Sequence, residues 1–130
     1  MLLMDLDHFK AVNDQHGHAT GDSALRLASH QLRHVLRKSD IAVRWGGEEM
    51  LVVLDNCGLE EARQIAEKIR QRIAQECGEV DGKPLALTVS IDVSQLSGDE
   101  SPDQTISRAD AGLYQAKQGG RNRVEVAATR

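Results

Sequence analysis

The chain has 130 residues, 40% of them hydrophobic, and its 16 basic and 20 acidic side chains give a formal net charge of −4; a single domain with a sizeable core is expected at this length. The lack of a basic excess and the presence of only three aromatic residues, Phe9, Trp45 and Tyr114, argue against a long nucleic acid as partner but leave a single nucleotide open. Cys57 and Cys77 have no metal-ligand or redox spacing, and no apolar run reaches membrane-spanning length, so we expect a reducing, cytoplasmic location without membrane contact by this domain.

The first half of the chain predicts a strand, a loop, a helix and a hairpin. A short apolar run over 2–6 is typical of a buried strand, and the polar residues of 7–22 indicate a loop. Apolar side chains recur at helical spacing from about residue 22 to 38. Two further apolar runs, about 41–45 and 50–54, flank a Gly-Gly-Glu-Glu segment, a pattern that predicts a β-hairpin with two carboxylates at its tip.

The second half predicts two more helices and two more strands. Apolar spacing indicates a helix over about 59–76, and the apolar run 85–91 indicates a strand. The last helix starts at Ser101, since serine caps a helix and the proline that follows suits its first turn. Two glycines at 119–120 end this helix, and a small edge strand is expected near 124–126.

This order of elements predicts the fold class. A β-α-β-β-α-β chain followed by a helix and a small strand indicates an α+β domain with a ferredoxin-like core. The central hairpin favours an antiparallel-dominated sheet, with the helices on one face of it. We expect residues 1–130 to form one domain, and the immediate start on a strand suggests a piece of a longer protein.

The strongest chemical signal is the pair of acids at the hairpin tip. Asp5 ends the first strand, and Glu48 would converge with it if the hairpin lies beside that strand. Converging carboxylates bind hard cations, and Mg²⁺ held by few protein oxygens together with substrate phosphates is the usual case. Taken one at a time, each acid is more simply read as a solvated residue at a strand end or turn.

Other cation and phosphate sites fit the sequence less well. An EF-hand loop needs a polar ligand at Phe9 and a glycine at Lys10, and a P-loop needs a Gly-Lys-Ser/Thr sequence that the chain lacks. A phosphatase of the haloacid dehalogenase type also starts with a strand and an Asp-x-Asp, here Asp5 and Asp7. That type expects threonine or valine at Phe9, so it stays a distant alternative.

Several short motifs occur together in the order and spacing of one known family. They are Met4-Asp5-Leu6-Asp7-His8-Phe9-Lys10, Asn13-Asp14, Gly17-His18, Gly21-Asp22, Arg44-Trp45-Gly46-Gly47-Glu48-Glu49, Tyr114-Gln115-Ala116-Lys117 and Gly120-Arg121-Asn122. The series resembles the GGDEF family of diguanylate cyclases over nearly the whole chain. The resemblance implies a fold of the nucleotidyl-cyclase and polymerase palm type.

The resemblance implies a bacterial signalling enzyme, a nucleotidyltransferase that joins two GTP molecules into the second messenger cyclic di-GMP and releases pyrophosphate. Each domain of the family holds one GTP, so catalysis requires a homodimer. The implied cofactor is Mg²⁺ or Mn²⁺, with Asp5, Glu48 and the Leu6 carbonyl as ligands and Glu49 as a supporting acid. Glu48 is also the implied base for the ribose 3′-hydroxyl, since the metal lowers the pKa of that hydroxyl.

The resemblance also implies the residues that bind GTP. Asn13 and Asp22 read guanine, because a carboxylate accepts from its N1–H and amine and an amide serves the remaining edge; helix capping is the alternative role of Asp22. His18 contacts the substrate or, alternatively, packs the loop. The residues that cradle phosphates or allow close backbone approach are Phe9, Lys10, Gly47, Lys117 and Arg121.

A second implied site is inhibitory. Arg37 and Asp40 match an Arg-x-x-Asp motif that binds the product in many family members, and five residues separate Asp40 from Gly46. An arginine fork suits phosphate and the Hoogsteen edge of guanine. Lys68 stands where the family often has a further arginine, and lysine cannot make the bidentate contact. Without the hairpin motif, the simpler interpretation is an exposed ion pair at a helix end.

The chain departs from the family pattern at a few positions. Met50 replaces an aromatic residue, which we expect to be benign, and Asp92 stands where the family usually has glycine, so that Asp92 could distort or charge that strand edge. The helix that usually precedes the strand of Asp5 and any sensor domain lie outside this sequence. The alternative function is a weak or inactive module that binds cyclic di-GMP or GTP as a sensor.

Overall fold

The computed structural model describes residues 1–96 and 98–126. In that part of the chain the helices are α1 (Phe9–His16), α2 (His18–Val35), α3 (Leu59–Glu76) and α4 (Pro102–Gln118), and the strands are β1 (Leu2–Leu6), β2 (Ile41–Arg44), β3 (Glu49–Val53), β4 (Glu79–Val80), β5 (Lys83–Pro84), β6 (Val89–Val93) and β7 (Arg123–Val126). None of these helices combines the length and the apolar character that a membrane span needs.

A five-stranded sheet in the order β2-β3-β1-β6-β7 forms the centre of the domain. β1 lies antiparallel to both β3 and β6, and β2 lies antiparallel to β3. β7 extends the sheet in parallel to β6. The ferredoxin-like, antiparallel-dominated fold predicted from the element order is confirmed, with β7 as the added small strand.

Helices cover both faces of the sheet, whereas the sequence analysis placed them on one. Leu2 and Met4 belong to the main core, to which α2 and α3 contribute, while Leu3 packs with Ala109 and Leu113 of α4 on the opposite face. Every residue of β1 is buried. A strand buried on both faces shows no polar–apolar alternation, so its sequence does not indicate that a second helical layer exists.

The predicted loop over 7–22 is wrong, because it contains α1 and the start of α2. α1 buries only Val12, so it lacks the apolar stripe by which a helix is recognised. Gly17, at φ 88° and ψ 164°, separates the two helices. This conformation favours glycine, which explains why the chain breaks there.

The strand predicted over 85–91 lies further along, at Val89–Val93. The amides of Leu85 and Ala86 both donate to the Gly78 carbonyl, at 2.9 and 3.0 Å, so this stretch bonds back to the end of α3 rather than to the sheet. The preceding residues form the hairpin of β4 and β5, whose turn has positive φ at Asp81 and Gly82. The helix predicted over 59–76 is confirmed.

Candidate active site

Asp5 and the Gly-Gly-Glu-Glu tip meet at the end of β1. Asp5 lies opposite Glu49 in the ladder of β1 and β3, and the Leu6 amide donates to the Glu48 carbonyl at 3.3 Å. The Asp5 side chain is buried, and Glu48 and Glu49 are partly buried. The structure therefore brings together the backbone positions on which the predicted cation site depends.

Burial and mutual repulsion raise the pKa of two carboxylates in this group. Burial raises the pKa of Asp5 and the neighbouring Glu48 raises it further, although Lys117 acts in the opposite direction. Burial also raises the pKa of Glu49, and the charges of Asp5, Asp110 and Glu48 add to that effect. A divalent cation would relieve this repulsion, so the donor chemistry fits Mg²⁺ or Mn²⁺.

The protein does not supply a complete cation cage by itself. In the residues that the structure describes, no three His, Cys, Asp or Glu side chains are grouped closely enough to hold a metal ion. A site in which one or two carboxylates act together with waters and substrate phosphates is the arrangement that Mg²⁺ commonly takes at phosphate-transfer sites. The residues present fit that incomplete type of site.

Lys117 forms a partly buried ion pair with Asp5. Its Nζ donates to Asp5 Oδ2, and the side chains of Lys117 and Asp5 are 30% and 3% exposed, respectively. The pair links the C-terminal turn of α4 to the end of β1. Asp110 lies seven residues before Lys117 on the same face of α4. Sequence analysis missed Asp110, and its helical spacing to Lys117 is the signal that would have indicated it.

Hydrogen bonds from the Arg44 side chain stabilise the hairpin tip. Arg44 Nη2 donates to the Gly47 carbonyl at 2.6 Å, and its Nε contacts the Gly46 and Gly47 carbonyls at 3.3 and 3.1 Å. Neither glycine has a positive φ, so the turn itself does not require them. A Cβ on Gly47 would meet no atom within 4 Å, so the surface beside it is open.

The predicted guanine readers lie where α1 and α2 meet. Asp22 lies inside α2, so the capping role considered for it is wrong; Gly17 precedes the helix instead. Asp22 lines a cavity of about 760 Å³ between α2 and the hairpin strands β2 and β3. Asn13 Oδ1 is buried without a hydrogen-bond partner among the described residues, and a Cβ on Gly21 would lie 1.8 Å from it.

Two of the predicted phosphate contacts lie in the first turn of α1 rather than in a loop. Phe9 begins α1 and its ring packs against the main core, while the Lys10 side chain is exposed. The first N–H groups of a helix have no partner inside it and carry a partial positive charge. His18, the first residue of α2, is exposed as well.

The segment after α4 has an unusual backbone. Gly120, Arg121 and Asn122 follow one another with φ of 121°, 65° and 45°. The Asn122 amide donates to Asp7 Oδ2 at 2.9 Å, and Arg70 Nη1 donates to Asn122 Oδ1 at 2.9 Å. Sequence analysis gave neither Asp7 nor Arg70 a role here, because both lie far from this segment in the chain.

Arg37 and Asp40 pair with each other and with the loop before α3. Arg37 Nη2 lies 3.1 Å from Asp40 Oδ1 and donates to the Asp55 carbonyl at 2.7 Å, and the Asp55 amide donates to Asp40 at 3.0 Å. Burial alone would raise the pKa of Asp40, but the hydrogen bonds from Arg37 and from backbone amides lower it. Lys68 is exposed on α3. The motif thus has a structural role in this chain.

Asp92 is fully buried between β6 and α4 rather than at a sheet edge. Its Oδ2 accepts a hydrogen bond from Ser94 Oγ at 2.6 Å, and its Oδ1, which has no partner among the described residues, lies 1.9 Å from the Cβ position of Gly112. Burial raises the pKa of Asp92 to about 6. The strand is undistorted, with regular pairing on both sides, because Gly112 leaves room for the carboxyl.

The sequence matches one family along most of its length. The family whose model matches residues 1–123 is described as Diguanylate cyclase, GGDEF domain. Diguanylate cyclase DgcP of Pseudomonas aeruginosa is 41% identical over 127 residues, which are 98% of this chain and 19% of that protein. Diguanylate cyclase A of Treponema denticola is 42% identical over 125 residues, 95% of this chain and 34% of that protein. The chain thus spans about a third or less of these relatives.

Solved structures agree with the sequence match. The active GGEEF domain of a diguanylate cyclase from Vibrio cholerae has a TM-score of 0.89 and 34% identity, covering 99% of this chain and 82% of that chain. The GGDEF domain of DgcB from Caulobacter crescentus, solved in complex with c-di-GMP, has a TM-score of 0.87 and 33% identity, covering 98% of this chain and 77% of that chain. The chain therefore belongs to the GGDEF-domain family of diguanylate cyclases.

Proposed function

We propose that this chain is the catalytic domain of a diguanylate cyclase, which condenses two GTP molecules into cyclic di-GMP and releases pyrophosphate. The observation that carries the proposal is the meeting of Asp5 with the Gly-Gly-Glu-Glu tip at the end of β1. The relatives named above are diguanylate cyclases, and one structural neighbour was solved with c-di-GMP bound. The presence of acidic residues at positions 5, 48 and 49 favours an enzyme over a module that only senses a nucleotide.

In the proposed reaction each step forms one phosphodiester bond. The 3′-oxygen of one GTP attacks the α-phosphorus of another GTP held by a facing copy of the domain, and the bond from that phosphorus to the bridging oxygen of the β-phosphate breaks. Pyrophosphate leaves, and Glu48 accepts the proton of the 3′-hydroxyl. A divalent cation at Asp5, Glu48, Glu49 and the Leu6 carbonyl would supply charge neutralisation at the phosphates.

The substrate would lie along α1 and α2. The free N–H groups at the start of α1 and the Lys10 side chain suit the phosphates. Asp22, which lines the 760 Å³ cavity, suits the N1–H and amine of guanine. The Oδ1 of Asn13 is an acceptor without a partner among the described residues. His18 would contact the nucleotide, and the open surface at Gly47 would let it approach the backbone.

Lys117 has two roles in this proposal. Without substrate it neutralises Asp5 through the observed ion pair. If Asp5 ligates a cation, Lys117 would lose this partner, and its ammonium group would then be available to the phosphates, as is proposed for Arg121. The ion pair thus keeps a buried carboxylate paired until substrate and cation replace it.

Product inhibition through Arg37, Asp40 and Lys68 is the regulatory part of the proposal. Arg37 is 46% exposed at its side chain, so its guanidinium is accessible to a guanine or phosphate. Its hydrogen bonds to Asp40 and Asp55 hold it in place and reduce the entropy that binding would cost. Lys68 would add charge without a bidentate contact.

The deciding experiment incubates the 130-residue chain with GTP and Mg²⁺ at high protein concentration and measures cyclic di-GMP and pyrophosphate. We expect both products, and Mn²⁺ should replace Mg²⁺. The matched control is Asp5→Asn, which keeps the shape of the side chain but removes a charged ligand. Binding of GTP or cyclic di-GMP without turnover, also when the protein is extended at its N-terminus, would indicate a sensor module instead.

A further inference from the structure

Asp7 lies just after β1, next to the proposed cation site, but its side chain turns to other partners. Its Oδ1 accepts from Ser90 Oγ at 2.6 Å, and its Oδ2 accepts from Thr88 Oγ1 at 2.7 Å and from the Asn122 amide at 2.9 Å. The residue is 4% exposed. A carboxylate that already accepts three hydrogen bonds has little capacity left for a cation.

The hydrogen bond from the Asn122 amide connects Asp7 to residues 120–122, all of which have positive φ. Arg121 and Asn122 both have positive φ; asparagine adopts this conformation readily, but arginine does so at a cost, so contacts with the surrounding structure must hold Arg121 there. The Arg121 amide donates to the Ala116 carbonyl at 3.0 Å, which ties one side of the segment to α4. Asp7 ties the other side to the sheet, between β1 and β6.

Asn122 is held from a second direction. Arg70 of α3 donates to Asn122 Oδ1 at 2.9 Å, and Arg70 is itself paired with Glu67. The backbone amide and the side-chain oxygen of Asn122 are therefore fixed by different elements. The amides of Arg121 and Asn122 are both hydrogen-bonded, so the backbone that carries the Arg121 side chain is held on both sides.

We propose that Asp7 is a positioning residue that holds the 120–122 segment so that Arg121 is directed at the terminal phosphates of GTP. The inference rests on the proposed function, in which Arg121 contacts those phosphates. Asp7 acts through the backbone and does not touch substrate or cation. The predicted consequence is that Asp7 affects affinity for the triphosphate and leaves affinity for the guanine end unchanged.

The test compares Asp7→Ala with Asp7→Asn and Ser90→Ala. Asparagine keeps one oxygen for the Asn122 amide, and Ser90→Ala removes only the hydrogen bond to the other oxygen of Asp7. Affinities are measured by calorimetry with Mg²⁺ for GMP and for a GTP analogue with a methylene bridge between the α- and β-phosphates. We expect Asp7→Ala to weaken the analogue about tenfold, the usual effect of one lost charge-assisted contact, with GMP unchanged.

Asp7→Asn should restore most of the analogue affinity, and Ser90→Ala should keep it. In an Arg121→Ala background, Asp7→Ala should cause no further loss, because the two substitutions remove one contact. Equal loss for GMP and the analogue, or full additivity with Arg121→Ala, would show that Asp7 acts only on stability and would overturn the proposal.

Amide hydrogen exchange of the ligand-free protein separates this inference from the proposed function. Exchange at Asn122 should speed up in Asp7→Ala and stay unchanged in Ser90→Ala. If it does, but Arg121→Ala binds the analogue normally, the proposed role of Arg121 is wrong and the positioning proposal falls with it. If Asn122 exchange is unchanged in Asp7→Ala, Asp7 does not hold the segment, whatever the nucleotide affinities.

Discussion

At the scale of single residues, Glu48 and Glu49 are neighbours in sequence with different surroundings. Glu49 lies opposite Asp5 in the ladder of β1 and β3, and burial raises the pKa of Glu49. Glu48 lies in the turn, and its backbone carbonyl accepts a hydrogen bond from the Leu6 amide. In the proposed mechanism Glu48, on the turn, is the base, and Glu49, within the ladder, is the supporting acid.

Glu48→Gln should lower the rate of cyclic di-GMP formation by about 100-fold or more, because it removes the proposed base and a cation ligand. Binding of cyclic di-GMP in the presence of EDTA should be retained if it uses Arg37. Glu76→Gln, an exposed site at the end of α3, is the control. An unchanged rate in Glu48→Gln would exclude Glu48 from both roles.

Arg37→Ala should weaken cyclic di-GMP binding, measured by calorimetry, and relieve product inhibition of the initial rate. It should also lower the free energy of unfolding slightly, since Arg37 bonds the Asp55 carbonyl. Arg63→Ala, which breaks an exposed ion pair on α3, controls for the loss of a surface arginine. Equal affinity in wild type and Arg37→Ala would place product binding elsewhere, such as in the active site.

Asp92 gives the stability of the protein a specific pH dependence. Its pKa is raised from 3.8 to about 6 by burial, so the folded state binds the proton more tightly than the unfolded state. The free energy of unfolding should therefore fall as the pH rises from about 4 to 6 and stay lower above that, by roughly 3 kcal/mol at most. Met1 and Arg108, which lower this pKa, and Asp110, which raises it, are the other nearby charges.

Asp92→Asn should remove that part of the pH dependence, as measured by urea unfolding at pH 4.5 and 7.5. The variant should gain stability relative to wild type at the higher pH. Asp81→Asn, at an exposed turn position with positive φ that asparagine tolerates, is the control. If the difference between wild type and Asp92→Asn is the same at both pH values, the buried carboxyl does not titrate in this range.

At the scale of elements, the contact between β6 and α4 depends on a complementary pair. A Cβ on Gly112 would lie 1.9 Å from Asp92 Oδ1, so the helix can approach the strand only without a side chain at that point. Glycine inside a helix costs about 1 kcal/mol relative to alanine. Alanine at position 112 would avoid this cost, but its Cβ would overlap the Asp92 carboxyl.

Gly112→Ala should destabilise the protein by about 1–3 kcal/mol, since overpacking outweighs the gain in helix propensity. Gly112→Ala combined with Asp92→Gly should be more stable than the sum of the two single changes predicts. Gly78→Ala, where a Cβ meets nothing within 4 Å, is the control for denaturant unfolding. Additive effects of the two substitutions would show that the two residues do not compete for the same space.

At the scale of the whole molecule, one domain carries one proposed nucleotide site, and the reaction joins two nucleotides. The rate of cyclic di-GMP formation should therefore rise more steeply than linearly with protein concentration at low concentration. The measurement is the initial rate over a dilution series at saturating GTP and Mg²⁺. A rate strictly proportional to concentration at every dilution would mean that one chain suffices or that the dimer never dissociates, which sedimentation at the same dilutions would distinguish.

The sequence by itself determined the elements whose signals are local. The amphipathic stripe of α3, the Ser101 cap of α4 and the apolar runs around the Gly-Gly-Glu-Glu tip depend on residues within a few positions of one another, and their patterns predicted the right structures. The series of short motifs likewise predicted the family, which the comparisons confirm. Helix α1 was not predicted, because Val12 is its one buried residue and it therefore has no apolar stripe.

Only the tertiary structure decided the contacts between residues far apart in the chain. Asp5 pairs with Lys117, Asp7 bonds the Asn122 amide, and Asp92 faces Gly112 across the interface of sheet and helix. The placement of α4 on the second face of the sheet creates all three, and a strand buried on both sides carries no pattern that reveals it. Local propensity selects helices and strands, whereas burial and hydrogen bonding between distant segments determine which charged groups meet.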